Sequence, residues 1–282
     1  MAKNKKDNLM EDLPKITVVM PVYNGELFLK DAIQSVLNQN YPNLEFIIID
    51  GESNDNTLNI INEFDNRVDI LLSEQDNGLN HAVNKGILLA TGEYICWLNS
   101  DDFFYDNALL TVGAYLSENR DIDLLYGDTA QVDFNGTFLK WHGAVPFDRD
   151  HLIHKRNYIP CQSAFFKKKT LAQIGLLDTS LKWCGDWDLW KRFSNINDCK
   201  IVFINERLSA WRLHTSTITS GGGSSKQMYL SALENIRSTR KYSDKLVTSL
   251  EMKNLIFLIV GLLGLRKVAR RVRNLFMVRD EF

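Results

Sequence analysis

Cysteine, proline and long apolar runs are all scarce in this chain. Its 282 residues include four cysteines and five prolines, and no two cysteines form a CxxC pair. Because a disulfide framework or a cysteine-based zinc site needs more regular spacing, we expect free thiols in a reducing compartment. The first fifteen residues are polar and contain no apolar stretch typical of a secretory signal, which favours a cytoplasmic protein.

Excess charge is also missing. The formal net charge is −2, which gives no general attraction to nucleic acid, so we expect no nucleic-acid partner. Hydrophobic residues make up 45% of the chain, enough for a sizeable core. This length fits one large α/β domain or a domain with an appendage.

The C-terminal segment is the exception to the even composition. The apolar run "LIFLIVGLLGL" (255–265) has eleven residues, too few for a helix to cross about 30 Å of hydrocarbon. Five basic residues follow between Arg266 and Arg273, on a segment with a helical apolar stripe. This pattern predicts a peripheral contact with an anionic membrane surface at the inner face of the cell membrane. The alternative is a C-terminal helix that packs on the domain.

The first 120 residues alternate between apolar strands and amphipathic helices. Buried strands are predicted at "ITVVM" (16–20), "LEFIIID" (44–50), "DILLSE" (69–74) and "EYICWLN" (93–99). This alternation indicates a Rossmann-like, mostly parallel central sheet with helices on both faces. Later residues predict a hairpin turning at Asn135-Gly136, a strand at 200–205 and a helix near 226–240. We therefore divide the chain into an extension (1–13), two halves of one domain (14–120 and 121–245) and a basic tail (246–282).

Polar residues follow the predicted parallel strands at the edge where ligands bind such sheets. Tyr23 and Asn24 follow the first strand, Asp50 ends the second, and Asp101 and Asp102 end the fourth. Adjacent carboxylates are costly near a core unless a positive group joins them. Mg²⁺ or Mn²⁺ would suit these hard oxygen ligands, although an aspartate here can also cap the following helix.

Three segments together resemble one known family. The segments are "ITVVMPVYNGELFLKDAIQSVLNQNYPNLEFIIIDGESNDNT", "ATGEYICWLNSDD" and "GDWDLWKRF". In this order they resemble the family 2 glycosyltransferases, which are inverting enzymes of the GT-A fold, over roughly residues 14–215. The resemblance implies the nucleotide-diphospho-sugar transferase fold, with a nucleotide sugar as donor and Mg²⁺ or Mn²⁺ as cofactor.

The resemblance also implies the residues of the donor site. Four residues would line the nucleotide-base pocket, partly through backbone atoms: Pro21, Val22, Tyr23 and Asn24. Asp50 would accept a hydrogen bond from the base, and Asp101 would contact the ribose or the donor sugar.

The remaining implied roles concern the cation, the diphosphate and the acceptor. Asp102 would coordinate the metal that bridges the diphosphate, and His214 could be a further metal ligand. Arg212 could pair with phosphate. Asp186 would be the general base, whereas Asp188 is expected to be structural and to pair with Arg192 at i+4.

The sequence departs from the family pattern at three positions. Gly51 stands where a second aspartate is common, Asn99 stands where an aspartate often precedes the acidic pair, and Gly185 replaces the usual glutamate before Asp186. The first departure leaves a base or ribose contact unassigned. The third leaves Asp186 and Asp188 as the acidic side chains of that motif.

These observations predict an inverting, metal-dependent glycosyltransferase. It would move a sugar, from a UDP-sugar by preference, to a hydroxyl of a glycan or lipid-linked glycan in surface polysaccharide biosynthesis. A nucleotidyltransferase would carry an early glycine-rich basic loop, which "PVYNGELF" lacks. A non-catalytic sugar-nucleotide or glycan-binding protein on the same fold is the other alternative.

Overall fold

A computed structural model describes residues 12–214 and 225–243, with the backbone alone at 65 and 225–229. The basic tail predicted from residue 246, and most of the polar N-terminal extension, lie outside these ranges. Within these ranges no helix is both long and apolar enough to cross a membrane.

The strands in these ranges belong to a nine-stranded sheet. They are β1 (Ile16–Val22), β2 (Leu44–Asp50), β3 (Ile70–Ser73), β4 (Tyr94–Trp97), β5 (Phe103–Phe104), β6 (Leu124–Val132), β7 (Phe138–Trp141), β8 (Ala164–Lys167) and β9 (Ile201–Arg212). The helices are α1 (Leu29–Leu37), α2 (Thr57–Asn62), α3 (Leu79–Leu89), α4 (Ala108–Glu118), α5 (Arg149–His154), α6 (Lys168–Ile174), α7 (Gly185–Phe193) and α8 (Ser225–Arg240). Short 3-10 turns lie at Asp65–Arg67 and Cys161–Ser163.

The first half of the sheet is parallel, as the alternation of strands and helices predicts. Its strand order is β3-β2-β1-β4, and each neighbouring pair is parallel. All seven residues of β1 are buried, because helices cover both faces of these strands. Parallel strands end on the same edge, so the residues that follow β1 and β4 come together there.

The second half continues the same sheet with mixed strand directions. β8 lies antiparallel between β4 and β6, and β6 pairs in parallel with β9. The predicted hairpin is present between β6 and β7, where Asp133 Oδ1 accepts from the backbone N–H groups of Asn135 and Thr137, and Gly136 has φ +82°. The predicted division at residue 120 therefore falls inside one hydrogen-bonded sheet.

The structure differs from the sequence analysis in two places. The strand predicted at 200–205 is longer than expected, and β9 runs to Arg212 because it pairs with β6 as far as Val132. Asp101 and Asp102 do not cap a helix, since α4 begins at Ala108, after Asn107 at φ +62°. The residues after the acidic pair form β5 instead, which pairs with β9.

Apolar clusters fill both faces of the sheet. On one face, the indole rings of Trp97 in β4 and Trp190 in α7 stack with centroids 5.7 Å apart. Burying an aromatic or aliphatic side chain of this size contributes roughly 1.5–3 kcal/mol. This contact fixes α7 against the strand that leads to the acidic pair.

Candidate functional site

A cleft of about 720 Å³ opens at the carboxyl ends of the parallel strands. Both halves of the sheet contribute to its walls. Seven of the predicted site residues line it: Pro21, Val22, Tyr23, Asn24, Asp101, Asp186 and His214. The other three, Asp50, Asp102 and Arg212, lie behind the walls and are each no more than 5% exposed.

Asp101 and His214 form a close pair at the cleft. The Nε2 atom of His214 lies 2.9 Å from Oδ2 of Asp101, although 113 positions separate them in the chain. The side chains are 14% and 26% exposed for His214 and Asp101. The His214 ring also packs on Phe28, with centroids 5.0 Å apart. A carboxylate oxygen and an imidazole nitrogen therefore meet at one point on the wall.

Asp102 points away from the cleft and is 1% exposed. Its Oδ1 accepts from the backbone N–H of Arg212 at 3.0 Å, and its Oδ2 accepts from Gln162 Nε2 at 2.8 Å and Asn99 Nδ2 at 3.1 Å. Burial, together with the adjacent Asp101 carboxylate, raises the pKa of Asp102 well above its usual range, and the three N–H donors oppose that shift. Its oxygens thus serve to connect three chain segments.

Arg212 holds the backbone of this corner rather than lining the cleft. Its Nε donates to the carbonyl of Asp101 at 3.1 Å, and its Nη1 donates to the carbonyl of Phe134 at 2.8 Å. The guanidinium lies 4.6 Å from the centre of the Phe28 ring, within cation–π range. Planar guanidinium groups suit such fixed, multiple contacts.

Asp50 supports the loop after β1. Its carboxylate accepts from Ser53 Oγ at 2.5 Å and from Ser73 Oγ at 2.6 Å, and Asp50 is fully buried. Ser53 Oγ in turn accepts from the backbone N–H of Asn24 at 2.8 Å. Asn24 adopts φ +49° and its side-chain oxygen accepts from Asn54 N. Asp50 therefore acts on the Tyr23–Asn24 wall through Ser53.

Asp186 lies in the first turn of α7 and lines the cleft from the second half of the chain. Its Oδ2 accepts from Asn157 Nδ2 at 2.8 Å and its Oδ1 from the backbone N–H of Trp187 at 2.7 Å. Burial raises the pKa of Asp186 to about 6, and these two hydrogen bonds limit the shift. The carboxylate can therefore take up a proton near neutral pH.

Gly185 leaves no room for the glutamate that the family often has beside Asp186. A Cβ atom on Gly185 would lie 2.3 Å from Nδ2 of Asn80 in α3. That amide is fixed, because it donates to the carbonyls of Asp178 and Leu181. The close approach of α3 and α7 thus accounts for the departure and leaves Asp186 as the carboxylate of the motif that lines the cleft.

Asp188 is part of a buried network, as expected. It is 1% exposed and pairs with Arg192 Nε at 3.1 Å. Ser238 Oγ on α8 and the Tyr242 hydroxyl, just after it, each donate to Asp188 Oδ1 at 3.2 Å. This network attaches α8 to the helix that carries Asp186.

A second contact from α8 reaches the loop before Asp186. Glu234 accepts from the backbone N–H of Lys182 at 2.9 Å and from that of Trp183 at 2.9 Å. Trp183 lines the cleft. Neither Glu234 nor Asn157 was singled out from the sequence, because their hydrogen-bond partners lie 29 to 52 positions away in the chain.

The donor atoms at the Asp101–His214 corner fit a divalent cation. Mg²⁺ and Mn²⁺ take carboxylate oxygens, neutral imidazole is a common metal ligand in proteins, and phosphate oxygens complete such sites. The side-chain oxygen of Asn99, which lines the same cleft, is buried without a hydrogen-bond partner. No cluster of three or more His, Cys, Asp or Glu ligands occurs in 12–214 and 225–243. The corner therefore suits a cation that shares its coordination with a diphosphate.

Comparison with known proteins decides the family. The model of the family described as "Glycosyl transferase family 2" matches residues 17–173. The chain belongs to glycosyl transferase family 2. A PGL/p-HBAD biosynthesis glycosyltransferase of Mycobacterium bovis is 34% identical over 187 residues, which cover 64% of this chain and 71% of that protein. The protein is accordingly a glycosyltransferase, and the predicted family and enzyme class are confirmed.

Solved structures support the fold of this family 2 member. S. aureus TarS 1-349 in complex with UDP-GlcNAc aligns with a TM-score of 0.59 at 19% identity, over 88% of this chain and 71% of that chain. The present chain spans 43% of the TarS chain in a longer TarS structure. The mannosyltransferase PcManGT of Pyrobaculum calidifontis, in complex with GDP-Man and Mn²⁺, gives 0.61 at 17% identity, over 94% of this chain and 79% of that one. The predicted GT-A fold is confirmed.

Proposed function

We propose that this glycosyltransferase moves a sugar from a UDP-sugar to an acceptor hydroxyl with inversion at the anomeric carbon. The observation that carries the proposal is that the Asp101–His214 pair and Asp186 lie on the walls of one cleft. The pair would hold the diphosphate end of the donor, and Asp186 would face the acceptor.

At the donor end, we assign Asp101 and His214 as the residues that hold a Mg²⁺ or Mn²⁺ ion. Asp102, which the sequence suggested as the ligand, becomes a positioning residue, because three protein N–H donors already occupy its carboxylate. The bound cation would supply positive charge to the leaving diphosphate. Arg212 likewise positions Asp101 instead of contacting phosphate.

At the acceptor end, Asp186 acts as general base. It takes the proton of the acceptor hydroxyl while the oxygen forms a bond to the anomeric carbon and the electron pair of the old bond leaves on the diphosphate. A pKa of about 6 leaves most of the carboxylate ionised at neutral pH. The aromatic rings of Trp183 and Trp187 beside it suit the apolar face of a sugar.

The ligands in the related structures support a nucleotide-sugar donor. The TarS structure contains UDP-GlcNAc, and the mannosyltransferase contains GDP-Man with Mn²⁺. The Mycobacterium bovis relative is named as a glycosyltransferase of PGL/p-HBAD biosynthesis. We therefore propose a glycan or lipid-linked glycan acceptor, reached by the enzyme from the cytoplasmic side of the membrane.

Donor hydrolysis gives a test that needs no known acceptor, since water can replace the acceptor hydroxyl. Purified enzyme with Mn²⁺ would be incubated with UDP-Glc, UDP-Gal and UDP-GlcNAc, and UDP release would be followed. Proton NMR of the freed sugar would identify its first anomer. We expect slow UDP release with at least one donor, dependent on Mn²⁺, and a β product from an α-linked donor.

Two variants separate catalysis from binding. Asp186→Asn should abolish UDP release while UDP still binds in calorimetry, and Asp106→Asn, an exposed aspartate, should match the wild type. Equal UDP release by Asp186→Asn would remove Asp186 from the mechanism. Nucleotide binding without turnover of any donor, with or without lipid-linked glycan extracts, would favour the non-catalytic binding protein.

A further inference from the structure

Asp76 places a carboxylate oxygen over Gly51. A Cβ atom on Gly51 would lie 2.6 Å from Oδ2 of Asp76 and 3.4 Å from the ring of Tyr23. The backbone of Gly51 lies outside the left-handed region, so space rather than conformation excludes a side chain there. Asp76 and Tyr23 both line the cleft. The carboxylate absent from position 51 is therefore supplied by position 76.

The orientation of the Asp76 carboxylate is fixed by its own loop. Its Oδ1 accepts from the backbone N–H of Gly78 at 2.6 Å, in the turn that leads into α3. Oδ1 is thus engaged, and Oδ2 is the atom directed toward Gly51. Lys85, on the same helix, pairs with Glu74 at 2.9 Å and not with Asp76. Asp76 therefore presents one acceptor oxygen beside the exposed Tyr23 ring.

We propose that Oδ2 of Asp76 selects the nucleobase by accepting the imide N3–H of uracil. This inference rests on the proposed function, since it assigns the base of the donor nucleotide. An ionised carboxylate only accepts hydrogen bonds, and the N3 atom of cytosine is itself an acceptor, so cytosine would place two lone pairs against each other. Guanine presents two adjacent donors, N1–H and N2–H, which suit a carboxylate with both oxygens available, whereas Oδ1 of Asp76 is occupied by Gly78 N–H.

The Tyr23 ring provides the second element of this subsite. It is 62% exposed and its edge lies beside Gly51, where a flat base can stack on it. Stacking is tolerant of base identity, whereas a hydrogen bond in a partly desolvated pocket is not. Tyr23 would thus bind the base and Asp76 would choose it.

The experiment measures UDP, CDP and GDP binding by calorimetry with Mn²⁺ for the wild type, Asp76→Asn and Asp106→Asn. In Asp76→Asn the amide oxygen can keep the bond from Gly78, which turns the amide NH₂ toward the base. We expect UDP to lose about tenfold in affinity and CDP to gain, so that the UDP-to-CDP affinity ratio falls by about thirtyfold or more. Removing a negative charge strengthens the binding of every nucleoside diphosphate alike, and the UDP-to-CDP affinity ratio cancels that effect.

A relocation variant adds an independent readout. Gly51→Asp combined with Asp76→Ser moves the carboxylate to position 51 and keeps a hydroxyl acceptor for Gly78 N–H. This double variant should regain the UDP preference that Asp76→Ser alone loses. It remains informative if Asp76→Asn unfolds, since Asp76→Ser provides the matched single change.

The outcomes separate the two proposals. If Asp76→Asn and Asp76→Ser kept the UDP-to-CDP affinity ratio of the wild type, the role of Asp76 would be overturned. The proposed transferase function would be unaffected. Wild-type preference for GDP or CDP would also overturn the role of Asp76, while donor turnover would still support the transferase. If the wild type bound no nucleoside diphosphate with Mn²⁺, the proposed function itself would fail, and the base assignment with it.

Discussion

The backbone N–H of Arg212 donates to Oδ1 of Asp102 at 3.0 Å and joins residues 110 positions apart. This bond fixes the end of β9 to the turn after β4. Asp101 directly precedes Asp102, and His214 lies two residues after Arg212. The bond therefore also sets the distance between the proposed metal ligands, Asp101 and His214. A residue that touches no substrate thereby controls the geometry of the donor site.

Asp102→Asn should lower the free energy of unfolding by about 1–3 kcal/mol. The amide places an NH₂ group where the carboxylate oxygens accept three N–H donors, so at least one buried donor loses its partner. Urea unfolding at pH 7 measures the change. Asp106→Asn, which alters an exposed aspartate, is the comparison and should unfold within about 0.5 kcal/mol of wild type. Equal stability of Asp102→Asn and wild type would contradict this role.

His214→Ala should reduce UDP affinity about tenfold or more in the presence of Mn²⁺ and leave metal-free UDP binding unchanged. The reason is that the imidazole nitrogen, 2.9 Å from Asp101, is a proposed metal ligand and not a nucleotide contact. Calorimetry with Mn²⁺ and with EDTA measures both values. His151→Ala, which alters a histidine that packs on Tyr158 and is not among the cleft-lining residues, is the control. Equal losses with and without Mn²⁺ would argue against metal ligation.

The rate of transfer should depend on the ionisation of Asp186. Below a pKa of about 6 the carboxylate is protonated and cannot take the acceptor proton, so kcat should fall about tenfold per pH unit, and it should level off above that pKa. Asn157→Leu removes a hydrogen bond that favours the ionised form, so the inflection should move to higher pH. The pH profile of kcat measures both. An inflection that stays in place in Asn157→Leu would show that this bond does not tune the base.

Glu234→Leu should lower kcat several-fold while the KM for the donor stays near the wild-type value. Glu234 accepts the N–H groups of Lys182 and Trp183, and its loss leaves these donors unpaired and frees the loop before Asp186. Steady-state kinetics separates the two constants. Glu234→Gln keeps an acceptor oxygen and should retain most of the activity. If Glu234→Leu and Glu234→Gln lowered kcat equally, the lost charge of Glu234 and not the lost loop contact would be responsible for the decrease.

Much of the fold follows from local pattern. The apolar runs 16–20 and 44–50 give strands at nearly the observed bounds, because a strand that is buried on both faces needs a continuous apolar run. The extension of β9 to Arg212 depends on pairing with β6, a partner more than 70 residues away, so the pattern near residue 211 does not reveal it.

The sequence pattern points to candidate site residues, but it does not show which of their side chains face the cleft. Asp101 and Asp102 are adjacent and chemically identical, yet one faces the cleft and the other is buried. What distinguishes them is the set of donors that reaches Asp102 from Asn99, Gln162 and Arg212. Two of these three donors are distant in sequence, and no spacing rule connects them to the acidic pair.

β8 pairs with β4 on one side and β6 on the other, so the donor and acceptor walls belong to a single hydrogen-bonded sheet. A hinge between the walls would have to break a strand ladder, at a cost in unpaired backbone groups that substrate exchange cannot recover. We therefore expect substrate and product to exchange through movement of the surface loops, with the sheet keeping its hydrogen bonds. Altering donor or acceptor choice in this scaffold is then a matter of loop exchange, with the sheet left untouched.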